Sequence, residues 1–314
     1  MFHWLYRLRL LPRRHYTFIF HRLVAERDPL MRLTPTVDEF RQQLALICEH
    51  FDVVPLSESL AAPRSGKPTA SISFDDGYAD NLHLLVPVLQ EFKASATVFA
   101  CTAFLDGDLM WNDWLTELIR QSPPGPLDLS RFGLATPILA ESLDLRRSVL
   151  AKLRMAVKYW QRDERRALVS HIRDQLSYVP RLMLNENELK TLHQAGVIIG
   201  GHTHDHHVLS TLDDDEAEWQ IQHNRGLLSE ILGEAPTLFA YPNGKPEQDY
   251  RAVHVRQVKQ AGYQASWTTE HGAWTGRGDR FQIPRFTPWN WNTLPFTRDL
   301  AQVSFRKPQV LDVA

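Results

Sequence analysis

A short apolar run that stops in two adjacent acids and a glycine constrains this chain more than any other stretch. Residues 70–74 are typical of a β-strand, and they are followed by Asp75, Asp76 and Gly77. A glycine at this point indicates a sharp turn, which can bring both carboxylates to one end of the strand. Two carboxylates in that position suit metal ligation or proton abstraction, although Asp and Gly are also ordinary turn residues. The stretch therefore predicts either a reactive strand end or a polar turn, and the choice depends on residues far downstream.

Short strand-like segments alternate with helix-like segments along most of the chain. The predicted strands cover residues 15–23, 53–56, 70–74, 96–100, 197–200, 238–241, 264–267 and 281–285. Between several of them, apolar residues recur at helical spacing. This alternation is typical of an α/β fold in which crossover helices connect the strands of a parallel sheet. In a β/α barrel the carboxyl ends of the strands form one shared mouth, so polar groups that follow the strands are expected to meet there.

The pattern changes between about residues 111 and 184. A Pro-Pro-Gly-Pro run at 123–126 breaks the chain, and residues 143–176 predict one or two amphipathic helices. Residues 140–175 contain nine Lys and Arg against five acids, a local excess of positive charge. We interpret 111–184 as a helical insertion in a single domain that spans residues 15–314. Its basic face is either simply solvated or part of a lid or membrane contact.

The overall composition excludes some classes of function. Apolar residues make up 43% of the chain and charged residues 23%, which is an ordinary balance for a globular protein. The formal net charge of −2 gives no global basic field, so nucleic acid is not expected as a partner. Cys48 and Cys101 stand in unrelated contexts and predict neither a disulfide framework nor a cysteine metal site.

The first fourteen residues form a separate basic segment. Their apolar run is interrupted by Arg7 and Arg9, so it lacks the clean apolar core of a signal peptide, and we expect a cytoplasmic protein. As a helix, the segment would place Met1, Trp4, Leu5, Leu8 and Leu11 on one face. With four arginines and no acid, this helix could rest on an anionic membrane surface, or it could pack on the domain as a first element.

A second group of polar residues follows the strand predicted at 197–200. His202 and His206 are four residues apart, a spacing that lets two imidazoles reach one divalent metal ion. The acids after Phe74 supply the hard oxygen ligand that such a pair lacks. Three protein ligands leave a position open for water, which is typical of a catalytic metal site. A histidine cluster alone could be surface hydration or adventitious metal binding, but its pairing with the two acids favours catalysis.

These stretches resemble the polysaccharide deacetylases, the NodB-homology family of carbohydrate esterases. The first family motif matches residues 74–77 (FDDG), and the second matches residues 202–206 (HTHDH). The surrounding stretches DDGYADN, ATVF, GVIIGGHTHDH and FAYPNG are similar as well. The resemblance runs from about residue 15 to residue 285, with a break at the helical insertion.

The resemblance implies a distorted (β/α) barrel with fewer than eight complete units. By motif position, Asp76, His202 and His206 would bind a divalent metal ion, with zinc as the first candidate, and Asp75 would be the general base. The metal would polarise an acetamide carbonyl while Asp75 deprotonates the attacking water. Backbone N–H groups around 242–244, that of Asn243 among them, would hold the oxyanion.

The chain departs from the family pattern at two points. Ala240 stands where many relatives carry an arginine, and Asn243 stands where they carry a tyrosine that acts through its backbone N–H. Relatives of this kind tend to have a Leu/Ile-Pro-Arg segment later, which predicts that Arg285 approaches the Asp75 carboxylate; otherwise Arg285 is a surface residue. No motif identifies the general acid, for which four histidines are candidates: His21, His204, His207 and His271.

The predicted function is metal-dependent removal of an N-acetyl or other N-acyl group from an amino-sugar glycan or glycan precursor. An intracellular precursor, nucleotide- or lipid-linked, is favoured because no export signal is evident. Removal of a formyl or an O-acetyl group stays open. The alternative from another class is a catalytically silent barrel that binds glycans, which the missing arginine and missing acid would explain. The intact set of Asp75, Asp76, His202 and His206 argues against it.

Overall fold

The computed structural model describes residues 14–60, 67–135, 138–288 and 293–313. The predicted amphipathic segment 1–14 therefore lies, except for Arg14, outside the described residues. Among the described helices, none is both long and apolar enough to cross a membrane.

The described strands belong to one large parallel sheet and one small antiparallel pair. They are β1 (His15–Phe20), β2 (Asp52–Val53), β3 (Thr69–Asp76), β4 (Ala96–Ala100), β5 (Gly125–Pro126), β6 (Ile138–Leu139), β7 (Ile198–Gly201), β8 (Leu238–Ala240), β9 (Ala265–His271) and β10 (Ile283–Arg285). The large sheet has the order β1-β3-β4-β7-β8-β9-β10, with β2 paired to β3, and β5 pairs with β6. All the pairings between strands of the large sheet are parallel.

The helices lie between the strands in chain order. They are α1 (Val37–His50), α2 (Val86–Phe92), α3 (Trp111–Gln121), α4 (Leu143–Val157), α5 (Arg162–Arg173), α6 (Glu186–Gln194), α7 (Asp214–Leu232), α8 (Ala252–Gln260) and α9 (Thr293–Phe305). Two of them begin directly after residue types that are typical helix N-caps. Asn185 caps α6 in a capping box with Glu188, and Asp213 caps α7 through the Glu216 N–H.

The sheet curls until its first and last strands nearly meet. Phe286, directly after β10, accepts a hydrogen bond from the Ile19 N–H and donates one to the Thr17 carbonyl, over 3.0 and 2.8 Å. These bonds join β10 to β1 and nearly close a barrel of seven strands. The predicted distorted (β/α) barrel with fewer than eight units is therefore confirmed.

Side chains alternate between the two faces of the barrel wall. In β3, Ala70, Ile72 and Phe74 belong to the apolar cluster packed with α1 and α2, which covers the outside of the wall. Residues two apart on a strand share a face, so Ser71, Ser73 and Asp75 point to the other, inner side. The inner face therefore has a polar side, and it is there that the reactive groups collect.

Helices α3, α4 and α5 form a separate apolar cluster beside the barrel mouth. Trp114, Leu115, Leu153, Leu168 and Ile172 are all buried in it. One or two helices were predicted within 143–176, and the structure has two there, α4 and α5. The description of this region as an insertion in the family fold stays a prediction.

The segment after Gly77 is helical over residues 81–92 but is not one regular α-helix. Residues Asn81–Leu85 form a π-helical turn, and α2 begins only at Val86. Pro87 lies in the first turn of α2, where its missing N–H costs nothing because the first N–H groups of a helix have no partner within the helix.

Candidate active site

The turn after β3 has a backbone shape that few residues adopt. Asp76 has φ +78° and Gly77 has φ +89°, both in the left-handed region. A Cβ atom at Gly77 would lie 3.2 Å from the Ala100 Cβ and 3.4 Å from the Ala100 Cα, so the neighbouring β4 leaves little space. The turn brings the side chains of both aspartates to the barrel mouth, where Asp75 and Asp76 are 2% and 4% exposed.

Asp76 lies against the two histidines from the loop after β7. Its Oδ1 atom is 3.5 Å from the His202 Nε2 and 3.3 Å from the His206 Nε2. One ligand-type atom from each of the three side chains lies within 4.8 Å of the others. The structure thus brings together the three residues that the sequence predicts as metal ligands.

The ring of His202 is held in an orientation that suits metal binding. Its Nδ1–H donates to the Ala240 carbonyl over 2.7 Å, which leaves the lone pair on Nε2. A backbone acceptor of this kind commonly fixes the tautomer of a ligating histidine. The sequence is unusual at position 240 because an arginine side chain is missing there. The group of Ala240 that contacts the site is its backbone carbonyl.

A divalent metal ion fits the three side chains. Asp76 Oδ1 is buried and has no hydrogen-bond partner among the described residues, and a buried carboxylate oxygen without a partner is costly. Burial lowers the pKa of His206 to about 4, with Asp76 only partly opposing this, so the imidazole is neutral and free to ligate. Two imidazoles and one carboxylate match the donor set of catalytic zinc sites.

Asp75 faces a different partner from Asp76. Arg285 Nη1 and Nη2 donate to the two Asp75 carboxylate oxygens over 2.6 and 2.8 Å. Arg285 is itself fully buried, and it also donates to the Thr268 carbonyl over 3.0 Å and to Ser73 Oγ over 3.3 Å. The contact expected between Arg285 and Asp75 is thus present, and Arg285 is not a surface residue.

The ion pair determines the protonation state of Asp75. Burial alone would raise the pKa of the Asp75 carboxyl, but the charge and hydrogen bonds of Arg285, together with His202 and His21, outweigh it and hold the pKa below its ordinary value. Asp75 is therefore ionised near neutral pH. Its Oδ2 atom is 3.9 Å from His202 Nε2, so the carboxylate lies beside the cluster of Asp76 and the two histidines.

Asn243 lies in the turn after β8 and is half-buried. It has φ +60°, and its N–H donates no hydrogen bond to a described residue. The turn follows Ala240, whose carbonyl holds His202. Among the described residues, no hydrogen bond joins Asn243 to the two aspartates or the two histidines, and its N–H is left without an acceptor.

A cavity of about 660 Å³, the main cavity, opens beside Asp76, between the barrel mouth and the helices α3 and α4. Of the four histidines considered as general acid, His21, at the end of β1, lines this cavity together with Asp76. His204 and His207 line a different cavity, and His271 is half-buried on β9 with its ring against Phe286.

The polar groups that join the barrel to the helices are not among the residues predicted from the sequence. Tyr78 O–H donates to Asp113 Oδ2 over 2.9 Å, and the Arg22 guanidinium lies 4.6 Å above the Tyr78 ring. All three residues line the main cavity. No sequence signal identifies Asp113, because it lies in the first turn of α3, where an acid is ordinary. Ser73 could have been found, since it stands two residues before Asp75 and so shares its face.

Comparison with known proteins agrees with this geometry. A family model described as polysaccharide deacetylase matches residues 62–124 and 151–266, together more than half of the chain. The chain belongs to the polysaccharide deacetylase family. Among curated relatives, it is similar to the putative polysaccharide deacetylase YxkH of Bacillus subtilis (strain 168), with 29% identity over 90 residues. That match covers 29% of this chain and 31% of the length of the relative.

Solved structures of deacetylases share the fold. The deacetylase PplD of Streptococcus pyogenes, in complex with acetate, has a TM-score of 0.59 at 16% identity, over 94% of this chain and 100% of that one. IcaB from Ammonifex degensii has a TM-score of 0.56 at 15% identity, over 94% of this chain and 98% of that one. At these identities the likeness shows the barrel fold, and the chemistry must be argued from the residues of this chain.

Proposed function

We propose that this deacetylase-family protein is a metal-dependent hydrolase that removes an N-acetyl group from an amino-sugar glycan or glycan precursor. The observation that carries the proposal is the cluster of Asp76, His202 and His206, with their ligand-type atoms within 4.8 Å, beside the ion-paired Asp75. The adjacent cavity of about 660 Å³ is within the range of small-molecule sites. The acetate held by PplD, a protein of the same fold, is the acid that deacetylation releases.

The residues of the chain have separate roles in this reaction. Asp76, His202 and His206 would hold a zinc ion, which would supply Lewis acidity toward water and the acyl carbonyl. Asp75 takes the proton of the attacking water, and Arg285 keeps its carboxylate ionised and oriented. The free N–H of Asn243 donates to the carbonyl oxygen as it gains negative charge.

His21 completes the proton balance. The bond from the water oxygen to the carbonyl carbon forms, the C–N bond breaks, and the leaving amine takes a proton from the His21 imidazole. Its place in the same cavity as Asp76 supports this role. The products are acetate and the free amino sugar. A formyl or O-acetyl substrate would be cleaved by the same groups, so the acyl group is assigned by the substrate test below.

Metal analysis of the purified protein, combined with release of acetate from acetylated amino sugars, tests the proposal. Near-stoichiometric metal is expected, and His202→Ala should lose metal and activity together. Asp75→Asn should keep its metal while turnover falls by about 10²–10⁴-fold, the usual contribution of a general base. His21→Gln should keep its metal and lower turnover.

Two outcomes would contradict these assignments. Loss of metal in Asp75→Asn would mean that the roles of the two aspartates are reversed. Full metal occupancy without turnover on any amino-sugar derivative would favour the glycan-binding barrel. The ion pair of Arg285 with Asp75 already removes one reason for that alternative, which was the missing arginine at position 240.

We also propose that residues 1–14 contact a membrane surface peripherally. The support is their sequence pattern alone, an apolar face with four arginines and no acid. The protein is expected to sediment with anionic liposomes, and less so as salt concentration rises, because salt screens this attraction. Removal of residues 1–14 should abolish sedimentation and leave active enzyme; an insoluble truncated protein would instead indicate that the segment packs on the domain.

A further inference from the structure

A second cavity, of about 390 Å³, lies on the other side of the histidine loop from the main cavity. Its walls are α5 of the helical cluster, residues of the segment 103–111, and His204, Asp205 and His207 from the loop after β7. Four arginines line it: Arg162, Arg165, Arg166 and Arg173. Two acids line it as well, Asp108 and Asp205, so the cavity carries an excess of positive charge.

Two of these arginines are already paired. Arg162 forms ion pairs of 2.8 Å with both Asp205 and Glu216, and Arg173 forms one of 2.6 Å with Asp108. Arg165 and Arg166 form no ion pair with a described residue. Arg166 is exposed at the rim, where water solvates its charge, but Arg165 is only 5% exposed.

A buried guanidinium without a counter-ion is strongly unfavourable. Burial lowers the pKa of Arg165 to about 10, and the charge of Asp205, which forms no ion pair with Arg165, opposes this only in part. The Trp111 ring, 5.4 Å from the guanidinium carbon, compensates for part of the charge but offers no strong hydrogen-bond acceptor. Arg165 Nη1 has no hydrogen-bond partner among the described residues.

A second unpartnered donor lies next to Arg165. Arg165 Nη2 contacts His207 Nδ1, and since an arginine can only donate, this histidine nitrogen accepts. The proton of the neutral His207 ring is therefore on Nε2, which is buried and has no partner among the described residues. Asp205 Oδ1, a buried acceptor in the same cavity wall, hydrogen-bonds to neither group. Two buried N–H groups of one cavity thus stay unpartnered, which predicts a ligand with several acceptor atoms.

We infer that this cavity is a binding site for a phosphate group. A phosphoryl group supplies negative charge and several acceptor oxygens, and it suits the fork of an arginine guanidinium. Arg165 and His207 would bind its oxygens inside the cavity, and Arg166 would reach it from the rim. The cavity exceeds the volume of a single phosphate, so a group attached to the phosphate can also be held. This inference does not depend on the proposed deacetylation, because binding is measurable without turnover.

Thermal unfolding of the full chain in the presence of inorganic phosphate tests the site, with sodium chloride used to hold ionic strength constant. Phosphate should raise the Tm of the wild-type protein by roughly 2–5 °C at concentrations well above Kd. Arg165→Met should abolish this rise, and Arg166→Ala should weaken phosphate binding several-fold. Arg256→Ala is the matched control, since Arg256 is exposed on α8, away from the cavity, and should respond like the wild type.

Arg165→Met provides a second readout. Because it removes a buried charge that lacks a counter-ion, the Tm of this variant without phosphate should equal or exceed that of the wild type. If the variant does not fold, Arg166→Ala decides the outcome, since it is exposed. No rise of the wild-type Tm, or an equal rise in Arg165→Met, would overturn the inference.

Phosphate also binds catalytic metal ions, so the titration is repeated after chelation. The rise should persist, and its loss together with the metal would overturn the inference. The source of the phosphate is then found by comparing inorganic phosphate, a nucleoside diphosphate and a short prenyl diphosphate. A lower Kd for one of the larger ligands supports a site for that carrier, while equal values support a free anion.

Discussion

At the scale of single residues, the pair of Asp75 and Arg285 explains how a buried carboxylate can act as a base. The residues are 210 positions apart and reach each other across the inside of the barrel. A buried ion pair adds little net stability, because both groups lose their hydration. Its effect here is on the pKa of Asp75, which burial would raise and Arg285 lowers. The arginine thus helps to keep the carboxylate that we propose as the base ionised at neutral pH.

Replacement of Arg285 by alanine should lower turnover while the metal stays bound. Without the guanidinium, the burial of Asp75 is opposed less strongly, so the pKa of the proposed base rises. The acidic limb of the kcat/KM profile should therefore move to higher pH. Arg277→Ala, an exposed arginine just before β10, is the control and should leave the profile unchanged. An acidic limb that stays in place in Arg285→Ala would contradict the role given to this residue.

The same substitution should reduce stability in a pH-dependent way. A carboxyl whose pKa is lower in the folded state contributes stability above its unfolded pKa of about 3.9 and loses it as pH falls through the folded value. At pH 7, Arg285→Ala should cost about 3–5 kcal/mol, because it leaves Asp75 charged and buried without its partner. Addition of Asp75→Asn should restore part of this loss in denaturant unfolding.

At the scale of structural elements, the turns after the strands carry unusual backbone conformations. Four of the six described non-glycine residues with positive φ are Asp76, Thr203, His206 and Asn243, all in turns at the barrel mouth. Such conformations cost of order 1–3 kcal/mol each and persist where surrounding contacts impose them. Cys101 is one source of these contacts, since its N–H bonds to the Asp76 carbonyl and its thiol to the His202 carbonyl.

Gly77→Ala should disturb the site through this geometry. The φ of +89° is unfavourable for alanine, and the new Cβ would press on Ala100. We expect a loss of roughly 1–3 kcal/mol in unfolding free energy and weaker metal binding, since Asp76 is the adjacent residue. Gly226→Ala is the matched control. It lies within α7 with nothing within 4 Å of the added Cβ, so it should stabilise by about 0.5–1 kcal/mol.

At the scale of the whole molecule, a buried hydrogen bond between Tyr78 and Asp113 is among the contacts that connect the barrel mouth to the helical cluster. Tyr78 follows Gly77 in the turn after β3, and it donates to Asp113 in the first turn of α3. Burial raises the pKa of Asp113 to about 6, although Arg22 opposes this. The aspartate is therefore charged at neutral pH at a cost to the folded state.

Asp113→Asn should change how stability depends on pH. Because the folded pKa of about 6 is above the unfolded value of about 3.9, the stabilisation from this group is complete below the unfolded pKa and is lost as pH rises through 6. Relative to the wild type, the asparagine variant should gain on the order of 2–3 kcal/mol between pH 4 and pH 8. Its side-chain oxygen can still accept from Tyr78. Denaturant unfolding across this pH range is the measurement, and parallel curves for the two proteins would contradict the raised pKa.

The sequence alone was enough to predict the class of fold and the parts of the site that follow single strands. Strand and helix periods are local, so the alternation of segments predicted a parallel sheet with crossover helices. The helical boundaries at α6 and α7 followed from their capping residues. Asp75 and Asp76 were predicted together because they are adjacent, and His202 with His206 because they are four apart. The phenylalanine, acid and glycine at 74–77 made the family resemblance visible.

Tertiary structure alone decided which groups meet across the barrel. The sequence alone allows Arg285 to pair with any acid. In the structure, closure of the sheet places β10 beside β1, the neighbour of β3, and so brings Arg285 to Asp75. The Ala240 carbonyl became the partner of His202, and Asp113 became part of the main cavity, for the same reason. Every residue has a backbone carbonyl, so the pattern of residue types does not show which carbonyl accepts a hydrogen bond from a side chain. Contacts between distant segments depend on the curvature of the sheet and the packing of helices against it. The periodicity of a sequence describes which face a side chain occupies, and only the closed barrel determines what lies opposite that face.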